Sequence, residues 1–253
     1  KPLWRYVSDM SPERIVSAID FRHISDYLSR ESALARLTEQ AAGKAARIEQ
    51  LMRDGYPAYT TSAGWIGYTD AEIVWRLKEA YAEGWRHFKI KVGGNLAGDL
   101  GRCKLFRDTL GHDVRLSVDA NQVWDVADAV KAIKAMAQYD IYWVEEPTSP
   151  DDVLGHKAIA EQVSPIVLAT GEHAHNRVMF KQFLQAEAIG FCQIDACRLA
   201  GVNLHQHFRN PIEIRQGRYM APMAPGYSAD LWPKSMADHE YPNGKEWAKV
   251  AAI

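Results

Sequence analysis

From about residue 56 onward, short apolar runs alternate with amphipathic stretches at a near-constant spacing. The runs centre near residues 57, 89, 117, 143, 168 and 192, and polar or turn residues bound each one, as expected of buried strands. Between them, Ile73, Val74, Leu77 and Tyr81 share a helical face that Gly84 closes. Val126, Val130, Ile133 and Met136 repeat that pattern. "DDVLGHKAIAEQV" carries acids in its first turn, and "NRVMFKQFLQAEA" opens on an Asn cap. A strand, a helix and two loops occupy about 25 residues. The pattern predicts an α/β fold of the (β/α)8 barrel type with six of the eight units that closure requires.

The flanks differ. Residues 1–55 read as helical, with an N-cap at Ser11 followed by Pro12 and a stop at Gly55. After Asp195 the alternation breaks, and the segment 204–253 is rich in Pro, Gly, Tyr and Met, with "IEIR" as one further strand. Three regions follow: 1–55, a partial barrel over 56–203, and a tail over 204–253.

Composition narrows the function classes. The net charge is −2, and no Lys/Arg tract with interleaved aromatics suggests nucleic acid. No apolar run approaches the roughly 18 residues of a membrane span, and no signal-peptide core is visible at the N-terminus. Cys103, Cys192 and Cys197 lack zinc or redox spacing, so buried free thiols in a cytoplasmic setting are expected.

The strand ends carry the chemistry. Lys91 ends "HFKIK", Asp119 ends "VRLSVD", Glu145 ends "IYWVE", Glu172 ends "IVLATGE" and Asp195 ends "FCQID". Such ends converge on one mouth of a parallel barrel. Lys89 and Lys91, two apart, face the same side. Two close ammonium groups lower each other's pKa, giving a base. Three acids make a hard-cation site suited to Mg²⁺. A base beside a cation that holds a carboxylate suits removal of the proton α to that carboxylate.

The ordered set "KIKVG", "SVDANQ", "WVEEP", "TGEH" and "QIDACRLAGV" resembles the enolase superfamily. "DFRHISDYLSRESA", "GYPAYTTSAGWIGY" and "RYMAPMAPGYSADL" resemble its L-fuconate dehydratase branch. The resemblance implies Mg²⁺-dependent dehydration of an acid sugar to a 2-keto-3-deoxy acid, by a chain that assembles as a homo-oligomer. It implies Lys91 as the base, Lys89 as its tuning partner, and Asp119, Glu145 and Glu172 as metal ligands. Asn121 would lie near substrate or metal, Glu146 would stand behind the ligands, and Asp195 would orient a histidine that protonates the leaving hydroxyl. Residues 1–55 would be the end of an α+β capping domain, with the tail packed back on it.

Two departures from the family pattern stand out. The capping domain would begin before residue 1, and a stretch between residues 203 and 204 looks excised. That stretch would hold two strands and the histidine partner of Asp195, and His205 and His207 do not replace it. A catalytically silent chain that keeps metal-site residues is therefore the alternative, with a racemase or cycloisomerase behind it. Simpler readings cover other motifs. His173 and His175 lack the further histidines of a zinc hydrolase. Gly93-Gly94-Asn95 is no dinucleotide loop. Trp65, Trp85, Trp143 and Trp247 are expected to be packing residues.

Overall fold

The computed structural model describes residues 1–194 and 206–250, with side chains through residue 247. Four helices come first: α1 (Leu3–Ser8), α2 (Pro12–Ser17), α3 (Arg30–Ala41) and α4 (Lys44–Asp54). Ser11 caps α2 by accepting from the Arg14 amide, as its Ser-Pro signature predicts. Gly55 ends α4 at a φ of 74°, where a Cβ would lie 2.8 Å from the Tyr219 carbonyl oxygen.

Strand β1 (Tyr56–Pro57) is followed by five helix–strand pairs. These run α5 (Asp70–Ala82), β2 (His87–Lys91), α6 (Leu96–Leu110), β3 (Arg115–Asp119), α7 (Val126–Met136), β4 (Ile141–Glu145), α8 (Val153–Val163), β5 (Val167–Thr170), α9 (Arg177–Gln185) and β6 (Phe191–Cys192). The described chain resumes with β7 (Ile214–Arg215), β8 (Arg218–Tyr219), α10 (Pro233–His239) and α11 (Lys245–Val250). Strands β2 to β6 form one parallel sheet in chain order.

One expected barrel strand is displaced. The sequence pattern places the run near residue 57 as the first strand of the barrel. Instead β1 pairs antiparallel with β8, in a separate sheet with β7. The barrel's first position is filled by the irregular segment just after it. Thr60 bridges Phe88 in parallel, and the Lys91 amide donates to the Gly64 carbonyl at 2.8 Å. Pro57, lacking an amide hydrogen, is tolerated in so short an outer strand.

Alternation sorts each strand's residues. Phe88, Ile90, Leu116, Val118, Val144 and Leu168 face the helices and are buried against Leu77, Phe106, Ile133 and Ile159. Their neighbours Lys89, Lys91, Ser117, Asp119 and Glu145 face inward. The β3–β4 register slips between Leu116 and Val118, and both Tyr142 and Trp143 reach His87, with ring centroids 5.3 and 4.6 Å away. With Tyr59 and Phe191 these rings fill the interior below the strand ends.

The tail returns to the start of the chain. Leu3 donates to the Gly226 carbonyl at 2.9 Å, Trp4 Nε1 donates to the Pro222 carbonyl, and Arg218 reaches the carbonyls of Asp54 and Gly55. No helix among the described residues is long and apolar enough to cross a membrane.

Candidate active site

Sheet register builds the site. Lys91 is the β2 partner of Asp119, which is the β3 partner of Glu145. The three therefore stand in one transverse row at the C-terminal strand ends, with Lys89 one inward position below Lys91. Lys89 Nζ lies 2.5 Å from Glu145 Oε1 and 2.9 Å from Asp119 Oδ2. Lys91 Nζ lies 2.6 Å from the same Asp119 oxygen.

Electrostatics keep the deeper lysine charged. Burial disfavours the Lys89 ammonium, but Glu145 and Asp119 together outweigh it and hold the pKa above its ordinary value. The expectation that two neighbouring ammonium groups depress each other is therefore corrected at Lys89, because each of two carboxylates contacts it directly. Burial opposes ionisation of Asp119 too, yet the two lysines pull its pKa down. At Glu145 burial dominates and pushes the carboxyl up.

Neighbouring loops fix these groups. The Asn121 amide donates to Asp119 Oδ1 at 3.0 Å, so Asn121 meets this site through its backbone. Gln193 Nε2 donates to Glu145 Oε2 at 2.8 Å and reaches the Tyr59 hydroxyl at 3.4 Å. The Tyr59 ring lies 5.4 Å from Lys89 Nζ. Asn121, Gln122 and Glu146 all hold positive φ, at 47°, 67° and 43°. Left-handed backbone costs a non-glycine residue about 1 kcal/mol, and such strain clusters at functional sites.

Glu172 lies elsewhere than the simple three-ligand reading expects. It follows Gly171 beyond the end of β5 and is 42% exposed, next to His173. Donor atoms of Glu146, Glu172 and His173 come within 4.8 Å of one another, and this is the group of three metal-type donors found among the described residues. Glu146 is fully buried; it contacts His173 Nδ1 at 2.5 Å and accepts from Gln122 Nε2 at 3.1 Å through each oxygen. The structure thus brings Asp119 and Glu145 together around Lys89 and places Glu172 one step along the rim. Asp119, Glu145 and Glu172 offer hard carboxylate oxygens, as Mg²⁺ prefers, and the Asp119–Glu145 pair already attracts a cationic group. Buried Thr170 Oγ1 and Gln193 Oε1 have no hydrogen-bond partner among the described atoms. The residues fit a divalent cation.

Asp195 and His205 lie outside the described residues. His207 is in the tail, 3.2 Å from Ser235 Oγ and against His239. Other expectations need correction. Cys192 is exposed, because β6 is the last strand of its sheet among the described residues, whereas Cys103 is buried, its thiol pushed up to about 12 by burial. Trp85 and Trp143 are buried, but Trp65 and Trp247 are 54% and 43% exposed. Sequence reasoning also missed Tyr59, Gln122 and Gln193 as site residues. Gln122 and Gln193 belong to the quoted strand-end motifs, and that adjacency was the available signal.

The enolase C-terminal domain-like family matches residues 72–204 of this chain. The L-galactonate dehydratase of Hypocrea jecorina is 42% identical over 302 residues, covering 97% of this chain and 67% of that protein. A match of 302 residues against a chain of 253 leaves at least 49 residues of the relative without a counterpart here. The crystal structure of human mitochondrial enolase superfamily member 1 superposes with a TM-score of 0.94 at 39% identity, covering 100% of this chain and 70% of that one. The L-talarate dehydratase of Polaromonas sp. JS666, complexed with Mg and L-glucarate, gives a TM-score of 0.67 at 25% identity, over 83% of this chain and 71% of that one.

Proposed function

Because this chain belongs to the enolase superfamily, we propose that it acts with Mg²⁺ on an acid sugar of the L-galactonate and L-fuconate type, removing the proton α to the carboxylate and expelling the β-hydroxyl as water. The observation that carries this reading is the shared contact of Lys89 and Lys91 with one Asp119 oxygen, beside Glu145. It puts two lysine amines beside two carboxylates, the parts that a base, a positive charge and a cation site would need. Relatives named for dehydration of L-galactonate and for a complex with L-glucarate support the substrate class. L-Fuconate is L-galactonate without its C6 hydroxyl, so the reacting carbons are the same in both.

Lys91 takes the α-proton. Lys89 remains an ammonium between Glu145 and Asp119 and faces the negative charge that builds on the substrate carboxylate. Asp119, Glu145 and Glu172 would hold the cation; Asn121 and Gln193 orient the first two, and Glu146 stands behind Glu172 through His173. Bound Mg²⁺ would supply Lewis-acid polarisation of the substrate carboxylate. Loss of the β-hydroxyl leaves an enol that tautomerises to the 2-keto-3-deoxy acid. Asp195 would orient the group that protonates the departing hydroxyl.

A second reading rests on a different observation. The family match ends at residue 204, and at least 49 residues of a relative have no counterpart here. In that reading the chain binds metal and acid sugar, and lacks the acid needed for turnover. One experiment separates the two: incubation with Mg²⁺ and L-galactonate or L-fuconate, with the keto acid measured. Keto acid formation that Lys91→Ala abolishes supports dehydration. Binding of both ligands with no product supports the silent reading. Failure to bind any acid sugar overturns both.

A further inference from the structure

Trp65 is a large apolar side chain left half in solvent beside the proposed base, on a loop that is firmly held. Its backbone carbonyl accepts from Arg102 Nη2 at 2.9 Å and from the Tyr68 amide at 3.2 Å. The same Arg102 reaches the Gly64 carbonyl at 3.0 Å, and through Nε the Lys91 carbonyl at 3.0 Å. One guanidinium therefore ties the 64–65 turn to the last residue of β2. Gly64 lets the two backbones close up, since a Cβ there would lie 2.6 Å from Ile90 Cα. The Trp65 ring centroid ends 5.9 Å from Lys91 Nζ, near the outer limit for a cation–π contact. Ile66 and Val123, also exposed, flank the Gly93-Gly94 turn on the same rim.

We propose that Trp65 is a substrate-positioning residue: its indole forms the apolar wall over Lys91 against which the C–H face of a polyhydroxy carboxylate lies. The inference rests on the acid-sugar reading above and deepens it. A base at Lys91 can act only if the substrate turns its α C–H bond toward Nζ. Trp65 stands beside that bond, so the C–H bonds of the neighbouring chain carbons that face it pack on the indole, while hydroxyl groups turned away from it meet the polar rim. Packing alone does not explain the residue, because the indole is 54% exposed while its own backbone is fastened at two points. An aromatic wall carried on a held backbone costs less conformational entropy on binding than one carried on a mobile loop.

The test is isothermal titration of the full chain with L-galactonate in saturating Mg²⁺, comparing wild type with Trp65→Ala and Trp65→Phe. Loss of an aromatic contact of this size is expected to weaken binding roughly tenfold or more in Trp65→Ala. Trp65→Phe, which keeps an aromatic face, is expected to bind within about threefold of wild type. Affinity for Mg²⁺ alone should be unchanged in both variants, and circular dichroism should be unaltered. Wild-type binding with an equal affinity in Trp65→Ala overturns this role and leaves the acid-sugar reading intact. Equal weakening in Trp65→Ala and Trp65→Phe also overturns it, since an aromatic wall should be rescued by phenylalanine. No binding of L-galactonate by wild type overturns the acid-sugar reading, and this role with it.

Discussion

Lys91 and Asp119 are register partners across β2 and β3, and their side chains meet at 2.6 Å. The hydrogen bonding that aligns the strands therefore also aligns an amine with a carboxylate. Asp119 is in turn the partner of Glu145. A one-residue slip in any of these strands would turn the ionisable group toward the helices and an apolar residue toward the mouth. The buried outward residues Ile90, Val118 and Val144 prevent that slip.

Asp119→Asn should weaken Mg²⁺ binding more than it weakens the fold. At a concentration 100 times the dissociation constant a bound ligand adds about 2.7 kcal/mol, or roughly 5–10 °C for a chain of this size. Wild type should show a rise of that order in a thermal-shift titration with Mg²⁺, reversed by a chelator. Asp119→Asn should show little. An equal rise in both proteins would remove Asp119 from the ligand set.

Arg107 should be a major stabilising residue away from the site. Its buried guanidinium donates to the carbonyls of Tyr139, Gly111, Val114 and Asp140 at 2.7–2.9 Å, joining α6 to the turns before β3 and β4. Arg107→Ala leaves four carbonyls without that donor, and urea denaturation should show a loss of about 2–4 kcal/mol. Arg107→Lys should recover only part, because a single ammonium cannot span the four. A loss below about 0.5 kcal/mol would show that water replaces the guanidinium at little cost.

His87 should make stability depend on mild acid. Burial, aided by Arg115, pushes its imidazole down to about 4. Between about pH 4 and the ordinary histidine value near 6.5, the unfolded chain binds the proton that the folded chain refuses. Stability then falls as pH falls through that window, by about 1–2 kcal/mol after discounting for partial exposure. His87→Gln, which can keep the contact with Ser117 Oγ (2.8 Å in the wild type), should flatten the slope of urea midpoint against pH. An unchanged slope would place the titrating group elsewhere.

Much of this was legible in the residue pattern, for identifiable reasons. Strands β2, β3 and β4 each end on an ionisable group, Lys91, Asp119 and Glu145, and period 2 alone sets Lys89 and Lys91 inward. Ser11, Asn176 and Gly55 marked helix ends because capping chemistry is local. The placement of β1 was not legible, since Tyr56–Pro57 pairs with Arg218–Tyr219 more than 160 residues away. The position of Glu172 was not legible either. Gly171, at a φ of 143°, turns the chain beyond β5, and spacing says nothing about that turn. The Arg102 clamp on the Trp65 backbone was not legible either, being a contact across 37 residues.

The most direct test of the central claim is hydrogen exchange at the α-carbon of the substrate. The full chain would be incubated with Mg²⁺ and L-galactonate in D₂O, and the C2 proton followed by NMR. Abstraction by Lys91 predicts loss of the C2 proton signal of the acid sugar or deuterium in its keto acid product, and neither in Lys91→Ala under conditions where that variant still binds Mg²⁺. Exchange at the wild-type rate in Lys91→Ala, or none in a wild-type protein that binds both metal and acid sugar, would contradict the assignment of Lys91 as the base.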